Sequence, residues 1–168
     1  METGKREEEM QMSDARLEFD GFEKIAPEVR AALTALGKAV SASGLDRQLV
    51  ELIKVRASQV NGCAYCLQFH LNFARKLGVA ETKLGLVAVW RDAGIFSAKE
   101  KAALAWTEAL TGVTPEGVSD EAYAAVSKEF EEKDVVFLTS AVGTINAWNR
   151  IAMAFRFSPA VPQGKAGA

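Results

Sequence analysis

The sequence contains very little cysteine and histidine, and the few such residues stand together. It has two cysteines and one histidine in 168 residues, and all three lie in the stretch "NGCAYCLQFH" at 61–70. Two cysteines so close in sequence would make a poor structural staple for a secreted domain. In a chain of the reducing cytoplasm such a pair is more often redox-active or metal-binding. Any redox or metal chemistry is therefore expected in this stretch.

Long hydrophobic runs and a strong charge of one sign are also absent. No apolar run is long enough to span a bilayer, and the N-terminal "METGKREEEMQMSDAR" lacks the apolar segment of a signal peptide. The net charge is −2, with Lys and Arg spread along the chain, so no nucleic-acid-binding surface is indicated. We expect a cytoplasmic protein with neither a membrane nor a nucleic acid as partner.

The composition is that of one soluble globular domain, with 49% hydrophobic and 25% charged residues. The polar ends differ from the middle of the chain. We therefore expect a flexible N-terminal segment over residues 1–20, a helical domain over 21–157 and a flexible C-terminal tail over 158–168.

Almost all of the middle segment has a helical pattern. Pro27 suits a first helical turn, Asn61-Gly62 is a helix-breaking pair, and Ser97 with Glu100 forms a capping-box sequence. No convincing strand is present. The fold is predicted to be all-α with roughly seven helices, over about residues 27–43, 46–60, 63–77, 81–90, 98–112, 119–130 and 134–157.

The two cysteines and the histidine share one face of the third predicted helix. At about 100° per residue, Cys63, Cys66 and His70 fall within about 60° of one another. The same face carries Leu67, Ala74 and Leu77, whereas polar residues point away from it. We therefore expect the cluster to face the protein interior or a pocket.

Three interpretations of the cluster are open from the residues alone. The side chains could be ordinary core residues, since cysteine packs well in cores. They could bind zinc, although a carboxylate or a second subunit would have to complete the four ligands. Finally, they could form a redox dithiol at a helix N-terminus, which favours a thiolate. His70, one turn after Cys66, could then accept the thiol proton or stabilise the thiolate.

A longer stretch resembles a known family. The segment "ELIKVRASQVNGCAYCLQFHLNFARKLGV", residues 51–79, resembles the core motif of the alkylhydroperoxidase AhpD-like family in the carboxymuconolactone decarboxylase superfamily. In that motif a Glu precedes Cys-x-x-Cys-x-x-x-His by a gap of eleven residues, met here by Glu51, Cys63, Cys66 and His70. The late "INAWNRIAMAF" is similar to the family's C-terminal helix, and the resemblance covers most of residues 20–157. Some members carry a His where this chain has Tyr65.

The resemblance implies an AhpD-like helical bundle that assembles into homo-oligomers, either trimers or hexamers, with peroxidase activity. It implies that Cys66 is the peroxidatic cysteine, Cys63 the resolving cysteine, and His70 with Glu51 the proton relay. A hydroperoxide would be the substrate and a dithiol protein, such as a lipoyl-bearing one, the reductant. No cofactor and no metal would be required.

Two points stay open beside this resemblance. A carboxymuconolactone decarboxylase-like lyase has the same fold, and a non-enzymatic redox-sensing or metal-binding oligomer could use the same cluster. Taken by itself, Glu51 is expected to be a solvated acid paired with Arg47 or Lys54, because it lies off the main apolar face of its helix. Trp148, Asn149 and Arg150 could line a pocket or pack between subunits.

Overall fold

A computed structural model of the chain describes residues 14–162 and is all-α, as the sequence predicts. Within these residues there are eight α-helices and no strand beyond one isolated bridge between Thr114 and Gly117. The helices are α1 (Phe19–Ile25), α2 (Pro27–Ser41), α3 (Arg47–Asn61), α4 (Ala64–Lys76), α5 (Glu81–Leu86), α6 (Ala98–Thr111), α7 (Asp120–Ser127) and α8 (Glu132–Phe155), and a 3₁₀ turn, Val87–Val89, follows α5.

Seven of these helices correspond to the seven predicted ones, and α1 is an addition. It begins at Phe19, so its first two residues fall inside the segment 1–20 that was expected to be flexible. The described residues beside it are in contact with the end of α8: the backbone N–H of Arg16 donates to the carbonyl of Phe155 at 2.9 Å. Ser158 Oγ donates to Glu18 Oε1 at 2.7 Å. Residues 1–13 and 163–168 of the two predicted flexible ends lie outside the described part of the chain.

The helix ends follow the local signals in the sequence. Pro27 occupies the first turn of α2, and the Ser97–Glu100 capping box opens α6 with both of its reciprocal hydrogen bonds. The Asp46 side chain accepts from the backbone N–H of Gln48 and caps α3. Gly62 ends α3 at φ 70°, in the left-handed region that glycine enters without steric cost.

Helix α3 is the centre of the bundle, since α4, α6 and α8 all pack against it. It is therefore covered on several sides and does not keep the exposed polar stripe of an ordinary surface helix. Its buried apolar residues are Leu49, Val50, Leu52, Ile53, Val55 and Ala57, and the polar Glu51 and Ser58 are buried beside them.

The long helix α8 completes the environment of the cysteines. It contacts α2, α3, α4 and α6 and buries most of its middle. The cysteines belong to a small apolar cluster in which α1, the α3–α4 turn and α8 meet: Phe22, Ala57, Cys63, Cys66, Ile145, Ala152 and Phe157. None of the helices in residues 14–162 is both long and apolar enough to cross a membrane.

Candidate functional site

The two cysteines are positioned by the sharp turn between α3 and α4. After Gly62, the backbone N–H of Cys63 donates to the Ser58 carbonyl at 3.0 Å, which closes the end of α3. Cys63 then caps α4, and its Sγ accepts the backbone N–H of Cys66 at 3.4 Å. The Asn61-Gly62 break therefore places one sulfur at the helix cap and the other in its first turn.

The predicted cysteine–histidine face is the buried face of α4. Cys63, Cys66 and His70 are 1%, 3% and 9% exposed, and both cysteines are free thiols. Ala74, further along this face, is fully buried, whereas Arg75 is exposed. The expectation that the cluster faces the interior or a pocket is confirmed.

The two thiols hydrogen-bond to each other, and this bond shifts their pKa values in opposite directions. The thiol of Cys66 donates to Cys63 Sγ, and this bond, with the backbone N–H of Cys66, lowers the pKa of Cys63 to about 7. The same bond, together with burial, raises the pKa of the Cys66 thiol. In the reduced protein Cys63 therefore ionises first, and Cys66 keeps its proton until another base removes it.

Asn149 of α8 is a further polar group at the sulfurs. Its side chain is completely buried, and it hydrogen-bonds to both cysteines, an interaction that lowers the pKa of each. The amide is held in place because its Oδ1 accepts from Asn61 Nδ2 at 2.8 Å and its Nδ2 donates to Ser58 Oγ at 3.2 Å. The sequence suggested only that Asn149 could line a pocket, because its distance from the cysteines along the chain hides this contact.

Glu51 and His70 form a buried pair next to the dithiol. His70 Nδ1 donates to Glu51 Oε2 at 2.6 Å, and Lys54 Nζ donates to the other carboxylate oxygen at 2.8 Å. Glu51 is only 3% exposed, so the expectation of a solvated acid is wrong, because the central position of α3 buries residues outside its main apolar face. The expected pairing with Lys54 is confirmed, and Arg47 is not its partner.

The protonation of this pair follows from its surroundings. Burial alone would raise the pKa of Glu51, but the hydrogen bond from His70 and the charge of Lys54 together lower it. Burial lowers the pKa of His70, and this effect exceeds the opposing attraction of Glu51. The pair is therefore a carboxylate and a neutral imidazole whose Nε2 carries a free lone pair.

Cys66 and His70 line one cavity of 470 Å³. Within the described residues no hydrogen bond joins the imidazole directly to the sulfur, so the two groups meet across this shared space. Its walls are mainly apolar and aromatic, and Arg30, Lys38 and Lys54 also line it. The aromatic residues are Phe19, Tyr65, Phe69, Phe73 and Trp148. Such a cavity suits a molecule with an apolar body.

Cys63 does not line this cavity. It lines a second cavity, which has a volume of 330 Å³. Among the residues around the second cavity are Gly62, Ala64, Met153 and Phe157. Tyr65 lines both cavities and thus lies between them. Among residues 14–162, no group of three or more His, Cys, Asp or Glu side chains is arranged so that it could hold a metal ion.

Comparison with known proteins shows which proteins the chain is similar to. Residues 27–109 match the model of the Carboxymuconolactone decarboxylase family. The uncharacterized protein YdfG of Bacillus subtilis is 37% identical over 133 residues, which cover 79% of this chain and 90% of that protein.

Several solved structures share the fold, among them the following two. One is a protein of unknown function from Agrobacterium tumefaciens, described as a candidate antioxidant defence protein AhpD. It is 36% identical with a TM-score of 0.82, over 89% of this chain and all of that one. The other is an uncharacterized peroxidase-related protein with an alkylhydroperoxidase AhpD core from Ralstonia eutropha. At 22% identity and a TM-score of 0.73, over 83% of this chain and 74% of that one, it supports the fold alone.

Proposed function

The chain belongs to the carboxymuconolactone decarboxylase family and is AhpD-like, and from this premise we propose that it is a thiol-dependent peroxidase that reduces hydroperoxides through Cys66 and Cys63. One observation carries the proposal: Cys66 and His70 line the same apolar cavity, and Nδ1 of His70 is hydrogen-bonded to the buried carboxylate of Glu51. A thiol, a neutral base and an ionised partner for that base are the groups that an activated cysteine requires.

In the first step, Nε2 of His70 takes the proton of the Cys66 thiol, through the substrate or a water in the cavity. The Cys66 thiolate attacks the terminal oxygen of the hydroperoxide, and the O–O bond breaks. The departing oxygen takes the proton back from the imidazolium and leaves as an alcohol or water. Cys66 is then a sulfenic acid. Glu51 stabilises the transient imidazolium, which is the usual effect of a carboxylate behind a histidine.

In the second step, Cys63 attacks the sulfenic sulfur of Cys66. Hydroxide leaves with a proton as water, and a disulfide joins the two cysteines. The backbone N–H of Cys66 and the side chain of Asn149 lower the pKa of Cys63 without needing the Cys66 thiol, so they still favour its thiolate after Cys66 is oxidised. Two thiols from an external dithiol then reduce the disulfide. Sulfur carries all of the redox chemistry, so neither haem nor flavin is needed in this cycle.

The cavity walls favour a hydroperoxide with an organic body over hydrogen peroxide. Phe69, Phe73 and Trp148 offer apolar surface that hydrogen peroxide cannot cover, whereas an alkyl or aryl hydroperoxide can bury its body against them. We expect a lower KM for cumene hydroperoxide than for hydrogen peroxide.

We also propose that the chain assembles with copies of itself, as a trimer or hexamer. Large apolar side chains remain exposed on the single chain, among them Ile25 at 72%, Val136 at 57% and Phe69 at 50%. A second copy of the chain would cover such side chains in an oligomer, and the number of copies is the one that the resemblance to the family implies. Light scattering that found only monomers at micromolar concentration would contradict this proposal.

A decarboxylating lyase on the same fold is the competing function. The name of the family agrees with a decarboxylase, but a decarboxylation has no evident need of two cysteines that can form a disulfide. The two functions differ in what peroxide does to the protein. One equivalent of cumene hydroperoxide should lower the intact mass of the reduced peroxidase by about two mass units as the disulfide closes. An unchanged mass would reject the peroxidase.

The roles of the cysteines are tested by trapping. In Cys63→Ser the peroxide should leave a sulfenic acid on Cys66, which a dimedone-type reagent captures and peptide mapping locates. If Cys66→Ser instead accumulates the sulfenic acid on Cys63 at the wild-type rate, the two roles are reversed.

A further inference from the structure

The two cysteines of the dithiol line separate cavities. Cys66 lines the first cavity and Cys63 does not, whereas Cys63 lines the second cavity and Cys66 does not. The side chain of Tyr65 lies between the two spaces and packs on Phe19 and Phe157, with ring centroids 5.9 and 5.3 Å away. The base His70 belongs to the first cavity only.

The second cavity opens at the surface. Of the residues that line it, Gly62, Ala64, Met153 and Pro159 are exposed, whereas Cys63 and Phe157 at its inner side are buried. At 330 Å³ it is near the lower end of the range for small-molecule sites, so it can admit a slender arm but not a folded domain. Its edge also carries an ion pair between Arg156 and Asp14 at 2.9 Å.

We propose that the second cavity is the entrance for the reductant, and that a dithiol on a slender apolar arm attacks Cys63 Sγ there while the hydroperoxide uses the first cavity. This inference rests on the proposed function, since it assigns a place to the reducing half of that cycle. It follows from which cysteine lines each cavity: a thiol in the second cavity meets Cys63 and not Cys66.

The exchange balances without any other reactant. The first thiolate of the reductant bonds to Cys63, the Cys63–Cys66 bond breaks, and Cys66 leaves as a thiolate. Cys66 then takes up a proton from solvent through Nε2 of His70 in the first cavity, and the two thiols of the reductant release their protons to solvent. The second thiol of the reductant then attacks its own mixed-disulfide sulfur, which closes the reductant's disulfide and releases Cys63. Two electrons pass from the reductant to the protein, and two protons follow through solvent.

The reversed assignment is disfavoured by the contents of the first cavity. A thiol attacking Cys66 would have to occupy the space that receives the hydroperoxide, beside His70 and Phe69. Oxidant and reductant would then compete for one site. With separate entrances, the two substrates should not compete, so excess hydroperoxide should not slow reduction of the disulfide.

The attacked sulfur is identified by mass spectrometry on the wild-type protein. The oxidised protein is exposed briefly to 2-mercaptoethanol, quenched with N-ethylmaleimide and cut with chymotrypsin after Tyr65, which separates Cys63 from Cys66. The mercaptoethanol adduct is expected on Cys63 and the maleimide on Cys66. The opposite distribution would overturn the proposal.

The entrance is tested by narrowing each cavity in turn. Met153→Trp narrows the second cavity, and Thr34→Trp narrows the first. Ala154→Trp is the matched control, because Ala154 follows Met153, is exposed and lines neither cavity. Stopped-flow kinetics measure oxidation by cumene hydroperoxide and reduction by dihydrolipoamide as separate half-reactions.

Met153→Trp should slow reduction about tenfold relative to Ala154→Trp, and Thr34→Trp should slow oxidation by a similar factor. Slowing of reduction by Thr34→Trp alone would overturn the proposal. Oxidation with dipyridyl disulfide prepares the disulfide without peroxide, so the reducing half can be measured alone. If the protein does not react with hydroperoxide but its disulfide is reduced by attack on Cys63, the proposed peroxidase function is wrong and the proposed entrance for the reductant still stands.

Discussion

His70 Nδ1 and Glu51 Oε2 are 2.6 Å apart in the interior, although 19 positions separate the two residues in the sequence. The bond fixes the imidazole tautomer, so that Nδ1 carries the proton and Nε2 is left as the acceptor. It also brings a negative charge to the place where an imidazolium forms during thiol deprotonation.

Glu51→Gln tests this charge while keeping the shape of the side chain. The neutral amide cannot stabilise the imidazolium, so the pKa of His70 should fall further and oxidation of the dithiol at neutral pH should slow about a hundredfold. The measurement is the stopped-flow rate of disulfide formation as a function of pH. Glu81→Gln, which breaks the surface pair with Arg75, is the matched control. Equal rates in the two variants would show that Glu51 does not act through His70.

The hydrogen bond between the two thiols predicts which cysteine is the thiolate near neutral pH. Thiolate absorbance of the wild type should titrate with a midpoint of about 7, and this transition should be absent in Cys63→Ser. In Cys66→Ala the donor to Cys63 is lost, so the pKa of Cys63 should rise toward that of an ordinary thiol. A neutral-pH thiolate that persists in Cys63→Ser would assign it to Cys66 instead.

Asn149→Leu removes the amide that reaches both sulfurs with little change of volume. We expect the pKa of Cys63 to rise, because one donor to the thiolate is lost. We also expect stability to fall by about 1–3 kcal/mol, because Asn61 and Ser58 lose a buried partner. Thiolate absorbance and urea unfolding give the two readouts. A loss of stability with an unchanged Cys63 titration would make Asn149 a purely structural residue. Asn72→Leu, near the surface, is the control.

Glu108 predicts how stability depends on pH. Burial would raise its pKa, but hydrogen bonds from Trp90, Arg91 and Arg56 lower it below the ordinary value. A carboxyl group whose pKa is lower in the folded state stabilises the fold above its unfolded-state pKa and loses this contribution as pH falls through the folded-state pKa. Buried, neutral His70 adds to the acid sensitivity, because its pKa is also lowered by folding.

Urea unfolding between neutral pH and about pH 3 measures this dependence. Glu108→Gln should cost about 1–3 kcal/mol at neutral pH and flatten the decline of stability below about pH 5. The exposed Glu28→Gln should change little. An acid decline in Glu108→Gln as steep as in the wild type would contradict the role given to this carboxylate.

The helices and the cysteine–histidine face could be predicted because local signals determine them. The Asn61-Gly62 break and the Ser97 capping box act within a few residues, and the helical period alone puts Cys66 and His70 on one face. By contrast, α1 has seven residues and depends on tertiary contacts, such as those of Phe22 with Trp148 and Phe157, so its sequence carries only a weak helical signal.

The remaining parts of the site depend on packing over long distances in the chain. Glu51 looks like a surface acid on its own helix, and it is buried only because α4, α6 and α8 surround α3. The contact of Asn149 with the sulfurs likewise needs α8 to lie across the α3–α4 turn. The motif resemblance pointed to Glu51, whereas no local pattern gave Asn149 a role at the thiols.

Turnover of cumene hydroperoxide with a dithiol reductant, compared between the wild type and Cys66→Ser, tests the proposed peroxidase most directly. Removal of the sulfur that shares a cavity with His70 should reduce turnover to the rate of the reductant alone, while the circular dichroism of the helices stays unchanged. Equal rates in the two proteins would contradict a mechanism in which the Cys66 thiolate attacks the peroxide.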